Sequence, residues 1–419
     1  MRFTFNKISK EENMKNLTRV IFVASLLVGL ARPATADVIT DWNETAVSTA
    51  SAAGGFGPFH IRNIAMVHVA MFDALNSIER RYTPYRVQLQ ITDTTSREAA
   101  AAAAAHYLLV RLYPDKAKDI DTALATALAA VTDANAKTQG VQLGEQVAAA
   151  ILADRIADGA NAPDTYRPHT TTGTYVPTVL PAGSSWGAVK PFALKSGNQF
   201  RPAAPYTLKS AQWEKDYNEV KQMGAKTGSG RSTEQSDIAR FWEFTGVETY
   251  NPVVRQILAA KNLGVIENAR VFALVAVATA DAYIAIFDAK YTYNFWRPIT
   301  AIRNGDMDGN DATERAPAWQ PTIPTPLHPE YPCAHCIVQA SAATVLSAIF
   351  GDAIPTVKMT SPTAPGVTRS FSRLSDYVAE VINARIYGGV HFRTSNEVGA
   401  EMGRKNGEHA VQNYFEPLR

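Results

Sequence analysis

Cysteine is nearly absent from this sequence, since only Cys333 and Cys336 occur among 419 residues. Two cysteines are too few for the disulfide framework of a small secreted scaffold. A structural zinc site is also disfavoured, because the sequence has no second cluster of cysteine and histidine at ligand spacing. The two cysteines therefore form a local pair, and the motif around them has to explain their role.

The sequence also has little excess of one charge sign and little of the apolar–polar alternation that is typical of strands. The formal net charge is only +2, and the basic residues form no stripe, so nucleic acid is not expected as the main partner. Hydrophobic residues make up 46% of the chain, which is enough to bury a large core. The scarcity of strand-like alternation favours an all-α protein.

The first 36 residues have the pattern of a secretory signal peptide. A short basic segment (14–19) precedes an apolar run (20–30) that is too short to span a bilayer. Ala34 and Ala36 then form a small-x-small cleavage pattern. We expect export to the periplasm or the medium, with residues 37–419 as one all-α domain that has no contact with the membrane after cleavage.

Apolar residues recur at helical intervals in much of the mature chain. The helices predicted from this pattern are 60–79, 97–112, 115–131, 139–158, 265–290, 336–350, 372–387 and 395–414. Two long segments rich in proline and glycine, 161–206 and 304–332, interrupt them. Loops of this length in a compact protein are usually functional or disordered, and we expect ordered loops that cover a site.

Three short segments bring cations or histidines to predicted helix ends. The first contains Lys290 and Arg297, although Pro298 disfavours a helical conformation at Arg297. The second, "PCAH" (332–335), begins a helix, where free N–H groups and the helix dipole favour an anion. The third contains Arg385 and His391.

His391 lies between two helix signals. The pair Gly388 and Gly389 is typical of a helix end, and Thr394-x-x-Glu397 has the pattern of a capping box at the next helix start. A lysine–arginine pair alone is usually a solvated face, and a histidine near a helix start is usually structural. Together, however, two arginines, a lysine, two histidines and a helix N-terminus describe a pocket for a tetrahedral oxyanion.

In order and spacing these segments resemble the motifs of vanadium-dependent haloperoxidases and of related acid phosphatases in the type 2 phosphatidic acid phosphatase superfamily. The family pattern is K-x6-R-P, then P-S-G-H, then S-R-x5-H-x3-D. The matching residues are Lys290, Arg297, Pro298, Pro332, His335, Arg385 and His391. Segments 191–202 ("PFALKSGNQFRP") and 234–242 ("EQSDIARFW") also look like bacterial haloperoxidase sequences.

The resemblance implies helical bundles of the haloperoxidase and acid phosphatase type, with long irregular loops and the site within residues 290–391. It implies vanadate as the cofactor, with phosphate as a competing oxyanion. The residues implied to bind the oxyanion are Lys290, Arg297, Cys333, Ala334, Arg385 and His391.

The resemblance also implies individual roles. His391 would bond vanadium directly, or attack phosphorus in a phosphatase, and His335 would be the acid–base group. His328 would lie in the halide pocket, with a capping loop residue as the alternative. Hydrogen peroxide, halide and a small organic acceptor would be the partners, and halide would be oxidised to hypohalous acid.

This chain departs from the family pattern at four positions: Cys333 replaces Ser, Ala334 replaces Gly, Ala384 replaces Ser, and Ser395 replaces the final Asp. A thiol is a weaker donor than a hydroxyl, so Cys333 would hold an oxyanion less well. Without the aspartate, the second nitrogen of His391 needs another partner, and Glu397, Asn396 or a backbone carbonyl are the candidates.

The cysteine pair and the changed positions leave alternatives open. For Cys333 and Cys336 we predict a disulfide or a peroxide-sensitive thiol, rather than zinc or a thioredoxin-like centre. The leading prediction for the protein is an exported haloperoxidase-like enzyme. An acid phosphatase could use the same pocket, and Cys333 with Ser395 also allows a non-catalytic oxyanion-binding descendant.

Overall fold

Thirteen α-helices and one two-stranded hairpin form residues 37–91 and 94–418, the part of the chain that this computed structural model describes. The predicted all-α class is confirmed for these residues, and the predicted signal peptide lies outside them. The elements are α1 (Val38–Ala53), α2 (Gly57–Glu79), α3 (Arg97–Leu112), α4 (Ala117–Ala129), α5 (Ala134–Arg155), α6 (Ala211–Met223), α7 (Thr233–Phe241), α8 (Asn251–Lys261), α9 (Val265–Tyr293), α10 (Pro298–Arg303), α11 (Ala334–Phe350), β1 (Ala353–Thr360), β2 (Thr368–Arg373), α12 (Leu374–Tyr387) and α13 (Arg393–Asn413).

Helix α9 is the centre of the core because it is apolar on nearly every face. It packs against α2, α11 and α13. Its length and composition would suffice to cross a membrane, but 94% of its most apolar window is buried inside the protein. The helix ends at Asn294, which adopts a left-handed conformation with φ 48°, and Pro298 begins α10. Lys290 and Arg297 therefore belong to different helices.

Helices α11 and α13 approach closely through a row of glycines. Gly399, Gly403 and Gly407 lie four residues apart and so share one face of α13. A Cβ atom at Gly403 would lie 2.3 Å from the Ile337 carbonyl oxygen, and one at Gly399 would lie 2.6 Å from that of Cys333. This close contact fixes the N-terminus of α11 against α13, beside the predicted oxyanion pocket.

Some predicted helix boundaries are wrong because the helices are capped by side chains other than the predicted ones. The predicted capping box at Thr394 is not formed: α13 begins after Phe392, which makes no side-chain cap. The N–H of Phe392 donates to the Glu330 carboxylate, and the N–H of Thr394 donates to that of Asp216. Helix α5 begins five residues earlier than predicted because Asp133 caps it.

The structure also contains elements that were not predicted, namely α1, α6, α7, α8, α10 and the β1–β2 hairpin. The hairpin is antiparallel, pairs Val357 with Phe371, and joins α11 to α12. Both long irregular segments contain ordered turns and short 3-10 helices, at Trp186–Ala188 and Gly305–Met307.

Candidate oxyanion site

The three predicted segments meet at helix ends around α9. Lys290 lies in the last turn of α9, Arg297 precedes the first residue of α10, and Arg385 lies in the last turn of α12. His391 follows the glycine pair, where Gly389 has φ 75° and fits closely against the Gly224 carbonyl. Arg297 NH1 lies 3.1 Å from His391 Nε2, so the first and third segments are in direct contact.

Lys290, Arg297 and Arg385 are at most 1% exposed. Lys290 Nζ donates to the carbonyls of Pro329 and Glu330, and Arg385 NH1 donates to that of Trp242. Arg297 donates to the carbonyls of His328 and Val390 and contacts the rings of His328 and His391. Among residues 37–91 and 94–418, none of the three cations forms an ion pair with a carboxylate.

Burial changes the titration of these groups. Burial, followed by repulsion from Arg297, lowers the pKa of Lys290 well below its usual value. Burial also lowers the pKa of Arg297 to about 10 and lowers the pKa of Arg385. Glu330 supplies one negative charge near Lys290 and Arg297, so the three buried cations retain an excess of positive charge, which is unfavourable. The cluster is therefore suited to an anion with several oxygens, which would supply the missing charge.

His391 has a partner that the sequence did not reveal. Its Nδ1 lies 2.8 Å from Glu330 Oε1, and both side chains are fully buried. The predicted partners are wrong, because Glu397 is exposed and Asn396 donates to the Ile382 carbonyl instead. Ser395, at the family's aspartate position, donates from its hydroxyl to the Glu330 backbone carbonyl, at 3.5 Å, and does not contact His391 directly. One signal was available in the sequence: Glu330 is the carboxylate within "PEYPCAHC" itself.

The contacts of Glu330 determine the tautomer of His391. Oε1 also accepts the backbone N–H of Phe392, at 3.0 Å, so it acts as an acceptor toward the imidazole as well. Nδ1 therefore carries the proton, and Nε2 is unprotonated and accepts a hydrogen bond from Arg297 NH1. Burial, then repulsion from Arg297 and Lys290, lowers the pKa of His391 well below its usual value. A neutral imidazole with an unprotonated Nε2 is the form that binds a metal.

Burial raises the pKa of Glu330 to about 7, although Arg297 and Lys290 lower it. The other carboxylate oxygen of Glu330, Oε2, is buried and has no hydrogen-bond partner within residues 37–91 and 94–418.

The start of α11 places Cys333 at the cap position and Ala334 at the first helical residue. The N–H of Ala334 therefore has no carbonyl partner within its own helix. Cys333 Sγ accepts the N–H of Cys336 at 3.2 Å, and the Cys333 N–H donates to the Ser395 carbonyl. Both thiols are free, so the disulfide alternative is wrong for this structure. The sulfur instead caps the helix.

The Cys333 thiol is the more acidic of the two. Burial would raise its pKa, but the hydrogen bond from Cys336 and the charge of Arg385 outweigh burial and lower the pKa to about 7. Burial raises the pKa of Cys336 well above its usual value. Cys333 is therefore the thiol more readily converted to a reactive thiolate.

The two remaining histidines of the predicted site have different neighbours. His335 is 6% exposed, and its Nε2 lies 3.3 Å from the Glu243 carbonyl oxygen. Burial, then the charge of Arg385, lowers the pKa of His335 well below its usual value. His328 is half-buried, lies with its Nδ1 3.0 Å from Arg297 NH2, and packs edge-on against Phe287. It is thus in contact with the pocket, while its predicted role toward halide stays a prediction.

Comparisons with known proteins point to one family. The family model described as the VCPO second helical-bundle domain matches residues 270–418. The vanadium chloroperoxidase of Curvularia inaequalis is 29% identical over 160 residues, which span 33% of this chain but only 26% of that protein. The crystal structure of a bacterial vanadium-dependent iodoperoxidase has a TM-score of 0.76 at 26% identity, and the match covers 91% of this chain and 96% of that one. The chain is similar to the vanadium haloperoxidases, and residues 270–418 match their second helical-bundle domain.

A second solved relative supports the fold alone. An apo-type bacterial vanadium-dependent chloroperoxidase matches with a TM-score of 0.71 at 18% identity, over 86% of this chain and 94% of that one. The helical architecture of the vanadium haloperoxidases therefore extends over nearly all the residues described here.

The residues of this haloperoxidase relative fit a vanadate ion. Arg385 Nε is buried and has no hydrogen-bond partner among the described residues, so a donor remains for an oxygen. Three cations without carboxylate partners and the free N–H of Ala334 could hold the other oxygens. The unprotonated His391 Nε2, which accepts from Arg297 NH1 in this structure, could bond to the metal in place of that hydrogen bond. The changes at Cys333, Ala334 and Ser395 preserve this donor set.

Proposed function

We propose that this protein is a vanadate-dependent haloperoxidase that uses hydrogen peroxide to oxidise halide. The observation that carries the proposal is the neutral His391, held by Glu330, with its Nε2 lone pair directed into a cluster of three buried cations. The 26% identity to the iodoperoxidase over 91% of the chain supports the same activity.

In this proposal Lys290, Arg297 and Arg385 bind the oxygens of vanadate, with Cys333 and the Ala334 N–H at the helix N-terminus. His391 Nε2 is the ligand of the metal. Bound vanadate would supply Lewis-acid activation of peroxide without a redox change at the metal. Glu330 keeps the proton on Nδ1 and therefore keeps Nε2 available, because its Oε1 accepts from both Nδ1 and the Phe392 N–H.

We assign the proton transfer to His335. A carbonyl can only accept, so the contact with Glu243 requires the proton of His335 on Nε2. Nδ1 is then the atom that accepts a proton from peroxide and later returns it. The lowered pKa keeps the ring neutral, and thus able to accept, at physiological pH.

The proposal is tested with purified protein, orthovanadate, hydrogen peroxide and bromide or iodide, beside a parallel assay with 4-nitrophenyl phosphate. We expect halide oxidation that depends on added vanadate and is lost in His391→Ala. The matched control is His106→Ala, which removes a histidine paired with Asp121 on α4, away from the cluster. Vanadate-independent hydrolysis of the phosphate ester, without halide oxidation, would identify a phosphatase instead.

We further propose that the protein acts outside the cytoplasm, on the basis of the signal-peptide pattern in residues 1–36. Expression in a bacterial host followed by fractionation should place it in the periplasm or medium. Mass spectrometry should find a mature N-terminus at Asp37. A cytoplasmic protein with an intact N-terminus would contradict this proposal.

A further inference from the structure

A cavity of about 320 Å³ lies beside Arg297 and is formed by α10 and the two long irregular segments. Its apolar walls include Tyr175, Ile299 and Leu327. The two loop segments are joined at this point, since the N–H of Ala182 donates to the Leu327 carbonyl at 2.6 Å. A volume of this size lies at the lower end of the range for small-molecule sites, which is about 300–1,000 Å³.

The charge of the cavity is positive and uncompensated. Arg297 and Arg303 both line it, and no aspartate or glutamate does in the part of the chain that the structure describes. Arg303 Nε donates to the Trp319 carbonyl, and neither arginine forms an ion pair within the described ranges 37–91 and 94–418. A larger cleft, of about 600 Å³, contains Arg404, but this arginine pairs with Glu401 and Glu408. Because Arg297 is assigned to the oxyanion, Arg303 is the arginine of the smaller cavity that remains for an anionic group.

The mouth of the cavity exposes apolar side chains. Val176 and Leu327 line it and are 37% and 48% exposed, and Val179 and Leu180 follow Val176 in the same segment. Exposed apolar residues that are grouped in this way mark binding surfaces more often than scattered ones do. The opening thus favours a ligand with an apolar body, while the arginines favour an anionic end.

We propose that this cavity binds the organic acceptor of the halogenation reaction, and that the acceptor is a small single-ring aromatic acid. The proposal rests on the function proposed above. Arg297 is common to the cavity and to the oxyanion cluster, since its NH1 contacts His391. An acceptor bound here lies next to the place where hypohalous acid forms. The halogen then bonds to a ring carbon as its bond to oxygen breaks, and the ring proton leaves with hydroxide as water.

The first experiment measures binding by calorimetry to the protein as purified, with 4-hydroxybenzoate as the probe. Its neutral methyl ester tests the need for charge. We expect Arg303→Gln to weaken binding of the acid by about 10-fold or more, on the scale of one charge-assisted hydrogen bond, and to affect the ester little. Thr178→Trp, at the cavity wall, should weaken binding of both probes by filling space. Arg404→Gln, which removes an ion-paired arginine from the larger cleft, is the matched control and should bind both probes as the parent does.

Vanadate affinity, measured in the same variants, separates the cavity from the oxyanion site. It should be unchanged in Arg303→Gln and Thr178→Trp. Equal affinity of the acid for the parent and Arg303→Gln, or displacement of the acid by vanadate in direct competition, would overturn the proposal. If the acid binds with the expected pattern to a protein that does not bind vanadate, the cavity is a binding site for aromatic acids, but its role as acceptor site and the proposed function are both wrong.

Discussion

Replacing Glu330 by glutamine changes the orientation and basicity of His391 with little change in volume. In the parent, Oε1 accepts the Nδ1 proton at 2.8 Å in a fully buried site. Loss of such a carboxylate partner from a metal-binding histidine typically reduces metal affinity by about 10- to 100-fold. This agrees with about 1.5–3 kcal/mol for a hydrogen bond to a charged group.

The same substitution removes one negative charge from beside three cations, which favours any anion. Phosphate and vanadate carry similar charge and shape, so this electrostatic gain is common to both and cancels in the ratio of their affinities. Only vanadate forms a bond to His391 Nε2 in our account. We therefore expect the preference for vanadate over phosphate to fall about 10- to 100-fold in Glu330→Gln, while phosphate affinity stays equal or rises.

Equilibrium dialysis of both anions against the parent and the variant at one pH measures this ratio directly. Glu397→Gln is the matched control, because Glu397 was the carboxylate expected from the sequence but is exposed in the structure. It should leave the ratio unchanged. An unchanged ratio in Glu330→Gln, with the fold intact by circular dichroism, would refute the role of Glu330.

Three further predictions concern the scaffold and the helix N-terminus. Burial raises the pKa of Asp281 from 3.8 to about 6, so the folded protein retains a proton that the unfolded chain loses between these values. Relative to Asp281→Asn, the parent should therefore lose about 3 kcal/mol of unfolding free energy as the pH rises through this window, as measured by urea denaturation. Gly403→Ala should cost about 1–3 kcal/mol because its Cβ would lie 2.3 Å from the Ile337 carbonyl oxygen, whereas Gly57→Ala, with its nearest neighbour at 3.7 Å, should have little effect on thermal unfolding. Cys333→Ser should bind vanadate up to about 10-fold more tightly, since a hydroxyl is the better donor, and equal or weaker binding would contradict a donor role for this position.

Local signals predicted much of this structure. Apolar periodicity identified α3 with its observed bounds and the start of α9 at Val265. Pro298 correctly predicted that Arg297 lies outside the preceding helix. Motif spacing grouped Lys290, Arg297 and His391, because each stands at a helix end where the backbone changes direction.

Contacts distant in sequence were not predictable in this way. Glu330 reaches His391 across 61 residues, and Asp216 reaches Thr394 across 178. Either carboxylate could have paired with many groups, and only the packing of the folded chain selects its partner. The cavity beside Arg297 has the same origin, since the residues that form it come from three separated segments.

The most direct test of the central claim is vanadium K-edge X-ray absorption on protein loaded with equimolar vanadate. The account predicts one nitrogen neighbour at bonding distance in the parent. That neighbour should be absent in His391→Ala and retained in His106→Ala. A vanadium with only oxygen neighbours in the parent, or an identical spectrum in His391→Ala, would contradict the assignment of His391 as the ligand.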